Sequence, residues 1–167
     1  MKTWRFLSLA IILSFSFAAD NLPAQGKAKR ERVFDSPTGE VDLGGNIDQE
    51  DLILRGKLGK LVIEGRIDHH STLDCTGLEV GAVVIGDKID GQSHVLLNVI
   101  GDVRIGGKIG GQSQVTVSNC RDFICKGRIE GIGTVVNVTY RRDFKIEGTD
   151  HYSTIIKQKS DRGAPSE

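Results

Sequence analysis

The 167-residue chain has one tryptophan, three prolines and three cysteines. So little proline beside 21 glycines excludes collagen, a Pro-rich linker and a coiled coil. Neither sign of charge prevails: 22 basic side chains face 22 acidic ones, so no global field draws the chain to nucleic acid or to an anionic membrane. Three cysteines cannot all pair within one molecule. No metal-ligand spacing such as HExxH is present, and no cofactor is expected. The one long uncharged run, Phe6 to Ala19, is shorter than the roughly 20 apolar residues of a membrane-spanning helix.

What is present begins with that run. Lys2 and Arg5 precede it, and Ser16 and Ala18 stand as the small residues before a cut, which is the layout of a secretory signal peptide. Residues 1–18 are expected to be removed, with a cut as late as Ala24 the variant reading, and the protein exported to the periplasm, cell surface or exterior. The alternative is an uncleaved N-terminal anchor. No cysteine follows the run to carry a lipid, so no stable membrane insertion is expected after cleavage. Removal takes Lys2, Arg5 and Trp4 but no acid, leaving 20 basic against 22 acidic side chains, net −2. Residues 19–40, with Lys27, Lys29, Arg30, Glu31 and Arg32, read as a charged disordered lead-in, and 157–167 as a disordered polar tail.

Between these ends the chain repeats itself. The strings VDLGGNID at 41–48, LVIEGRID at 61–68, VVIGDKID at 83–90, VRIGGKIG at 103–110 and FICKGRIE at 123–130 align, and FKIEG at 144–148 opens a sixth copy. Their isoleucines, Ile47, Ile67, Ile89, Ile109 and Ile129, are spaced 20, 22, 20 and 20 residues apart. Apolar residues alternate within each copy, as in Val103 and Ile105, which marks short strands with one buried face. A second apolar pair follows in each copy, for instance Leu52 and Leu54 or Val115 and Val117. Such strands are too short to form hairpins, so they stack coil on coil. The sequence predicts an all-β fold, a single-stranded right-handed parallel β-helix of about six coils of 20–22 residues over 41–156. Two inward columns are expected, Val41, Leu61, Val83, Val103, Phe123, Phe144 and Leu43, Ile63, Ile85, Ile105, Cys125, Ile146.

The recurring G-x-[KR]-I and G-[KR]-I strings over 41–156 resemble those of right-handed parallel β-helix proteins, and loosely the bactofilins, small uncapped β-helices flanked by disordered tails. Bactofilins have shorter coils and act as cytoplasmic scaffolds, whereas this chain opens on an export signal. The resemblance therefore implies an architecture, a self-stacking rod, and not a cytoskeletal role.

Flanking each inward isoleucine stand an outward basic position, Arg66, Lys88, Lys108 and Arg128, and an outward acidic one, Asp48, Asp68, Asp90 and Glu130. Opposite ladders side by side form a self-neutralising solvated face; the functional alternative is a basic stripe holding an acidic polysaccharide. The corner that follows carries all four histidines. His69, His70 and His94, beside Asp68 and Asp90, are candidate ligands for a zinc-like ion, against the simpler role of Asp and Ser as turn caps on backbone amides. Asp122 and Asp143, with Arg121, Arg141 and Arg142 nearby, are the best candidates for a carboxylate cluster, though short connections leave no walled cleft for catalysis. Cys75 and Cys125 read as core residues, and Cys120 as the thiol free to oxidise with Cys125 or between molecules.

Two functions stay open. The first is an exported, non-enzymatic structural or interaction module, self-associating end to end, with Val33 and Phe34 as a plug for the first coil. The second is a wall that binds, or less readily cleaves, a cell-surface polysaccharide.

Overall fold

The computed structural model describes residues 29–35 and 39–161; the expected signal peptide lies outside them. The described residues are all-β and contain no helix, so none is long and apolar enough to cross a membrane. Eleven strands follow in chain order: β1 Arg30–Asp35, β2 Glu40–Asp42, β3 Ile47–Asp48, β4 Glu50–Ile63, β5 Ile67–Asp68, β6 Thr72–Ile85, β7 His94–Val99, β8 Val103–Ile105, β9 Gln114–Ile129, β10 Val135–Thr149 and β11 Thr154–Lys159. Every pairing among them is parallel. Parallel strands so close in sequence cannot be hairpins. They are the walls of a β-solenoid of about six turns.

Each turn contributes to three walls. Arg30–Asp35 opens the first wall, Glu40–Asp42 the second and Ile47–Asp48 the third; the chain then returns to the first at Glu50, in register with Arg30. The long strands β4, β6, β9 and β10 bend from the first wall into the second, with register shifts at the bend in their pairings. The third wall is the narrowest, carried above β5 by single bridges Ile67–Ile89, Ile89–Ile109 and Ile109–Ile129.

The core is columnar. Leu52, Leu73, Val95, Val115 and Val136 stack in register, as do Leu61, Val83, Val103 and Phe123, and all are buried. Alternation puts every second side chain inward, and like residues on successive coils meet at strand spacing. A column not expected from sequence fills the bend: Leu58, Val80 and Val99 in register, and Cys120 with Tyr140 above them. Just beyond it the bend is glycine. A Cβ on Gly81 would lie 2.2 Å from the Gly59 carbonyl oxygen, and one on Gly101 2.0 Å from that of Gly81, so only hydrogen fits where the coils touch.

Two expected boundaries are corrected. The lead-in was to run to residue 40, yet Arg30–Asp35 pairs along its whole length with Glu50–Arg55. The tail was to begin at 157, yet β11 continues to Lys159 in register with Tyr140. Charged side chains at these positions do not prevent pairing, because a terminal layer faces a neighbour on one side and water on the other. Phe34 does enter the inward column over Leu54, whereas Val33 points outward and is 44% exposed.

Candidate functional site

The third wall carries the alternating charges. Lys88 Nζ lies 2.9 Å from Asp90 Oδ2 and 3.9 Å from Asp68 Oδ2; Lys108 Nζ lies 2.9 Å from Glu130 Oε1 and 3.9 Å from Asp90 Oδ2. Arg66 Nε closes one end at 3.4 Å from Asp68, and Arg128 Nε the other at 4.0 Å from Glu130. The four basic candidates thus interleave with three acids in one zigzag. Burial alone would raise the Asp90 carboxyl, but the hydrogen bonds from Lys88 and from the Gly91 amide outweigh it and hold the group below its ordinary value. The hydrogen bond to Glu130 likewise raises the Lys108 ammonium. Partners this close leave the stripe little free positive charge for a polyanion.

The corner after the ladder is built from left-handed residues: His69 and His70, Gly91 and Gln92, Gly111 and Gln112 all have φ between +51° and +65°. Asp68 Oδ1 accepts the His69 amide at 2.8 Å and Asp90 Oδ1 the Gly91 amide at 3.0 Å, the expected cap. The serines bond backbone on both sides: Ser71 Oγ accepts the Glu50 amide at 3.4 Å and Ser113 Oγ the Ser93 amide at 3.3 Å. Ser71 and Ser93 are buried and donate their hydroxyls to the carbonyls of Asp68 and Asp90, at 2.5 and 2.6 Å. Above them Thr134 donates to Glu130. An internal Ser/Thr column thereby satisfies carbonyls that the tight corner would otherwise leave bare.

The expected metal set is not assembled. His69 Nδ1 turns to Asp48 Oδ1, 2.8 Å away on the preceding coil, His94 begins β7 in register with Thr72 and Gln114, and His70 is exposed. Among the described residues no group of three or more His, Cys, Asp or Glu side chains could hold a metal ion. The corner sends successive side chains apart, so adjacency in sequence does not become a shared centre.

Asp122 is buried on the second wall and takes both guanidinium arms of Arg142, with Nε at 2.9 Å from Oδ1, and the Asp143 amide at 3.2 Å. Asp102, one coil earlier, accepts Arg121 Nε at 2.8 Å, which with Arg104 beside it keeps its carboxyl low. Asp143 has its own cation, Lys145, at 3.4 Å. Each of these carboxylates is thus paired with a cation, and Arg121 stands between Asp102 and Asp122.

The cysteines are free and buried. Cys120 occupies the bend column, not an exposed corner, which corrects its expected oxidation. Burial pushes the Cys75 and Cys120 thiols up to about 12 and raises Cys125, so none is a thiolate at neutral pH.

Comparison of the chain with protein-family models, with curated proteins and with solved structures finds no match.

One surface feature escaped the sequence reading. A shallow groove of about 300 Å³ opens on the second wall, lined by Val84, Gly86, Arg104, Gly106, Ile124 and Lys126 among others. Arg104 is 60% exposed and 3.4 Å from Asp102, which Arg121 holds more closely. Lys126 has no acidic partner among the described residues. Gly86 and Gly106 recur at one repeat position, where a Cβ would lie 2.1 Å from the Glu64 carbonyl oxygen and 2.0 Å from that of Gly86, so only glycine lets the coils meet on the groove floor; that recurrence was visible in the sequence.

Proposed function

We propose that this protein is an exported, non-enzymatic structural or interaction module that works through the rigid wall of its solenoid. The supporting observation is the pairing of its charged candidates along the walls: Asp68, Asp90, Asp102 and Asp122 each hold a cation from their own or an adjacent coil. Side chains tied in this way stiffen a surface and leave little to turn over a substrate. Export rests on the N-terminal layout of residues 1–18, and loss of export on deleting them is the expected result in a fractionation assay. The module has two forms, a single unit and a stack of copies through β1 and β11, the end strands among the described residues. Light scattering and negative-stain microscopy at high concentration separate them.

A second reading, a wall that binds an acidic polysaccharide, draws on the second-wall groove, where Arg104 and Lys126 flank a glycine floor between Val84 and Ile124. Its test is a melting-temperature shift with acidic but not neutral glycans, lost in Arg104→Gln/Lys126→Gln and kept when Arg66, Lys88, Lys108 and Arg128 are replaced by Gln. No shift with any acidic glycan removes this reading.

A further inference from the structure

We infer that the two ends of the solenoid are closed against a second copy of the chain by Arg32 and Lys157. The inference rests on the module reading above and decides between its two forms in favour of the single unit.

On the first wall two inward columns run the length of the body. One reads Arg32, Leu52, Leu73, Val95, Val115, Val136, Ile155; the other reads Phe34, Leu54, Cys75, Leu97, Val117, Val138, Lys157. The five inner layers of both are apolar. A cation enters each column once, one in the first layer and one in the last. Both lie across an aromatic ring. The Arg32 guanidinium carbon is 6.0 Å from the Phe34 centroid, and its Nη2 donates to Glu50 Oε2 at 3.0 Å. Lys157 Nζ is 5.5 Å from the Phe144 centroid, over the aromatic top of the second wall. Each cation thus covers the end of the core while keeping its charge at the surface.

A copy added head to tail would continue the columns, because parallel strands pair in fixed register. Ile155 would meet Arg32 of the next copy, and Lys157 would meet Phe34. Lys157 would leave water for an apolar column without an acid opposite, and the Arg32–Glu50 pair would be desolvated at the other end, both costly for buried charge. Joining like ends fares no better, since it brings Lys157 and Lys159, or Arg30 and Arg32, against their own kind. The walls are also unequal among the described residues: the first has seven strand layers and the second six. Pairing β11 with β1 of another copy would leave a layer unfilled over Phe144. Inward-pointing charge is a recognised way of blunting a sheet edge.

The test compares full-length wild type with the double variant Arg32→Leu/Lys157→Val by light scattering and negative-stain microscopy, with circular dichroism to show that both are folded. Wild type is expected to stay monomeric at its highest soluble concentration, and the double variant to form rods several coils longer. Wild-type rods would overturn the closure while upholding the stacking form of the module; a folded double variant that stays monomeric would overturn the closure and leave the module untouched. Lys157→Glu serves if the double variant does not fold. Its carboxylate would stand over Phe34 of the next copy, one inward column from Arg32, so rods at low salt that dissociate at high salt are expected. Monomers at low salt would count against the inference.

Discussion

Phe144 lies flat on Phe123, with ring centroids 5.3 Å apart and planes inclined by 11°. The two are register partners on successive coils of the second wall. Phe123 is fully buried and Phe144 half-buried, with Tyr140 tilted against it at 5.7 Å. This stack ends the aliphatic column below it, where Leu61, Val83 and Val103 are too small to shield the top from water.

From that stack follows the first prediction. Phe123→Ala should destabilise the fold by about 3–5 kcal/mol, as truncation of a buried aromatic does, and Phe144→Ala by less, since part of its ring already meets solvent. The double variant should fall short of the sum by roughly 0.5–1.5 kcal/mol, the direct ring–ring contribution. Urea denaturation of the four proteins gives the cycle; strict additivity would mean that the stacking itself contributes nothing.

The corner above the charge ladder separates two residues that occupy one repeat position. Gly111 has φ +59°, and a Cβ there would stand 2.1 Å from Asp90 Oδ1 and 2.4 Å from the Gly91 nitrogen. His69 has φ +51° but meets no such backbone, because the coil beneath it turns with one residue fewer between Asp48 and Asp51 than lies between Asp68 and Thr72. Its ring fills the vacated space and reaches Asp48. Gly111→Ala is therefore expected to cost about 2–4 kcal/mol, combining left-handed strain with overpacking. His69→Gly should be nearly neutral, within about 0.5 kcal/mol, because relief of strain offsets the loss of an exposed contact with Asp48. Thermal melts suffice, and equal losses in the two variants would contradict this account.

How much of this was legible follows from where the repeat is strict. The inward isoleucines and the alternating pairs of the first two walls carry the period without a break, so their columns could be read directly. The bend column could not. Asn119, in a left-handed turn with φ +61°, and the register shifts beside it move Cys120 from an apparent corner into the core. The first layer was hidden for another reason: Arg30, Glu31 and Arg32 lack the apolar alternation of later copies, since a terminal layer buries only one side. Side-chain pairing lay beyond the sequence altogether. Which of the ladder cations meets which acid depends on coil offset, and a histidine pair at one corner diverges once both backbones turn left-handed.

Asp150 makes the pH dependence specific. Its carboxylate accepts the Gly131 amide at 2.6 Å, the Ser153 amide at 2.8 Å and the Tyr152 amide at 3.0 Å. Led by the Gly131 bond, these donors favour the ionised form and lower the group from 3.8 to about 2. A carboxyl held below its unfolded value stabilises the fold fully above that value and loses the contribution as pH falls through the folded one. Asp150→Asn should therefore be less stable than wild type at neutral pH, with the difference shrinking between pH 3.8 and about 2 and absent below. A difference that stays constant across this window, in urea midpoints measured at each pH, would show that the three amides do not depend on the charge.

The last prediction concerns the zigzag itself. Lys88 stands between Asp68 and Asp90, with its side chain 27% exposed and those of the acids 9% and 18%. Without it two carboxylates on neighbouring coils face each other, with Arg66 and Lys108 left at the outer positions. Lys88→Gln should destabilise by roughly 1–2 kcal/mol, the scale of a lost charge-assisted hydrogen bond. Part of that cost is repulsion across the gap, so it should shrink at about 1 M salt, where screening acts within about 3 Å. Lys126→Gln is the control, because its ammonium meets no acid among the described residues; its effect should stay within about 0.5 kcal/mol at either salt concentration. If the two variants behave alike, the ladder is ordinary surface charge. If Lys88 alone responds, and responds to salt, the near-zero net charge of the chain reflects alternating charges that help hold successive coils together.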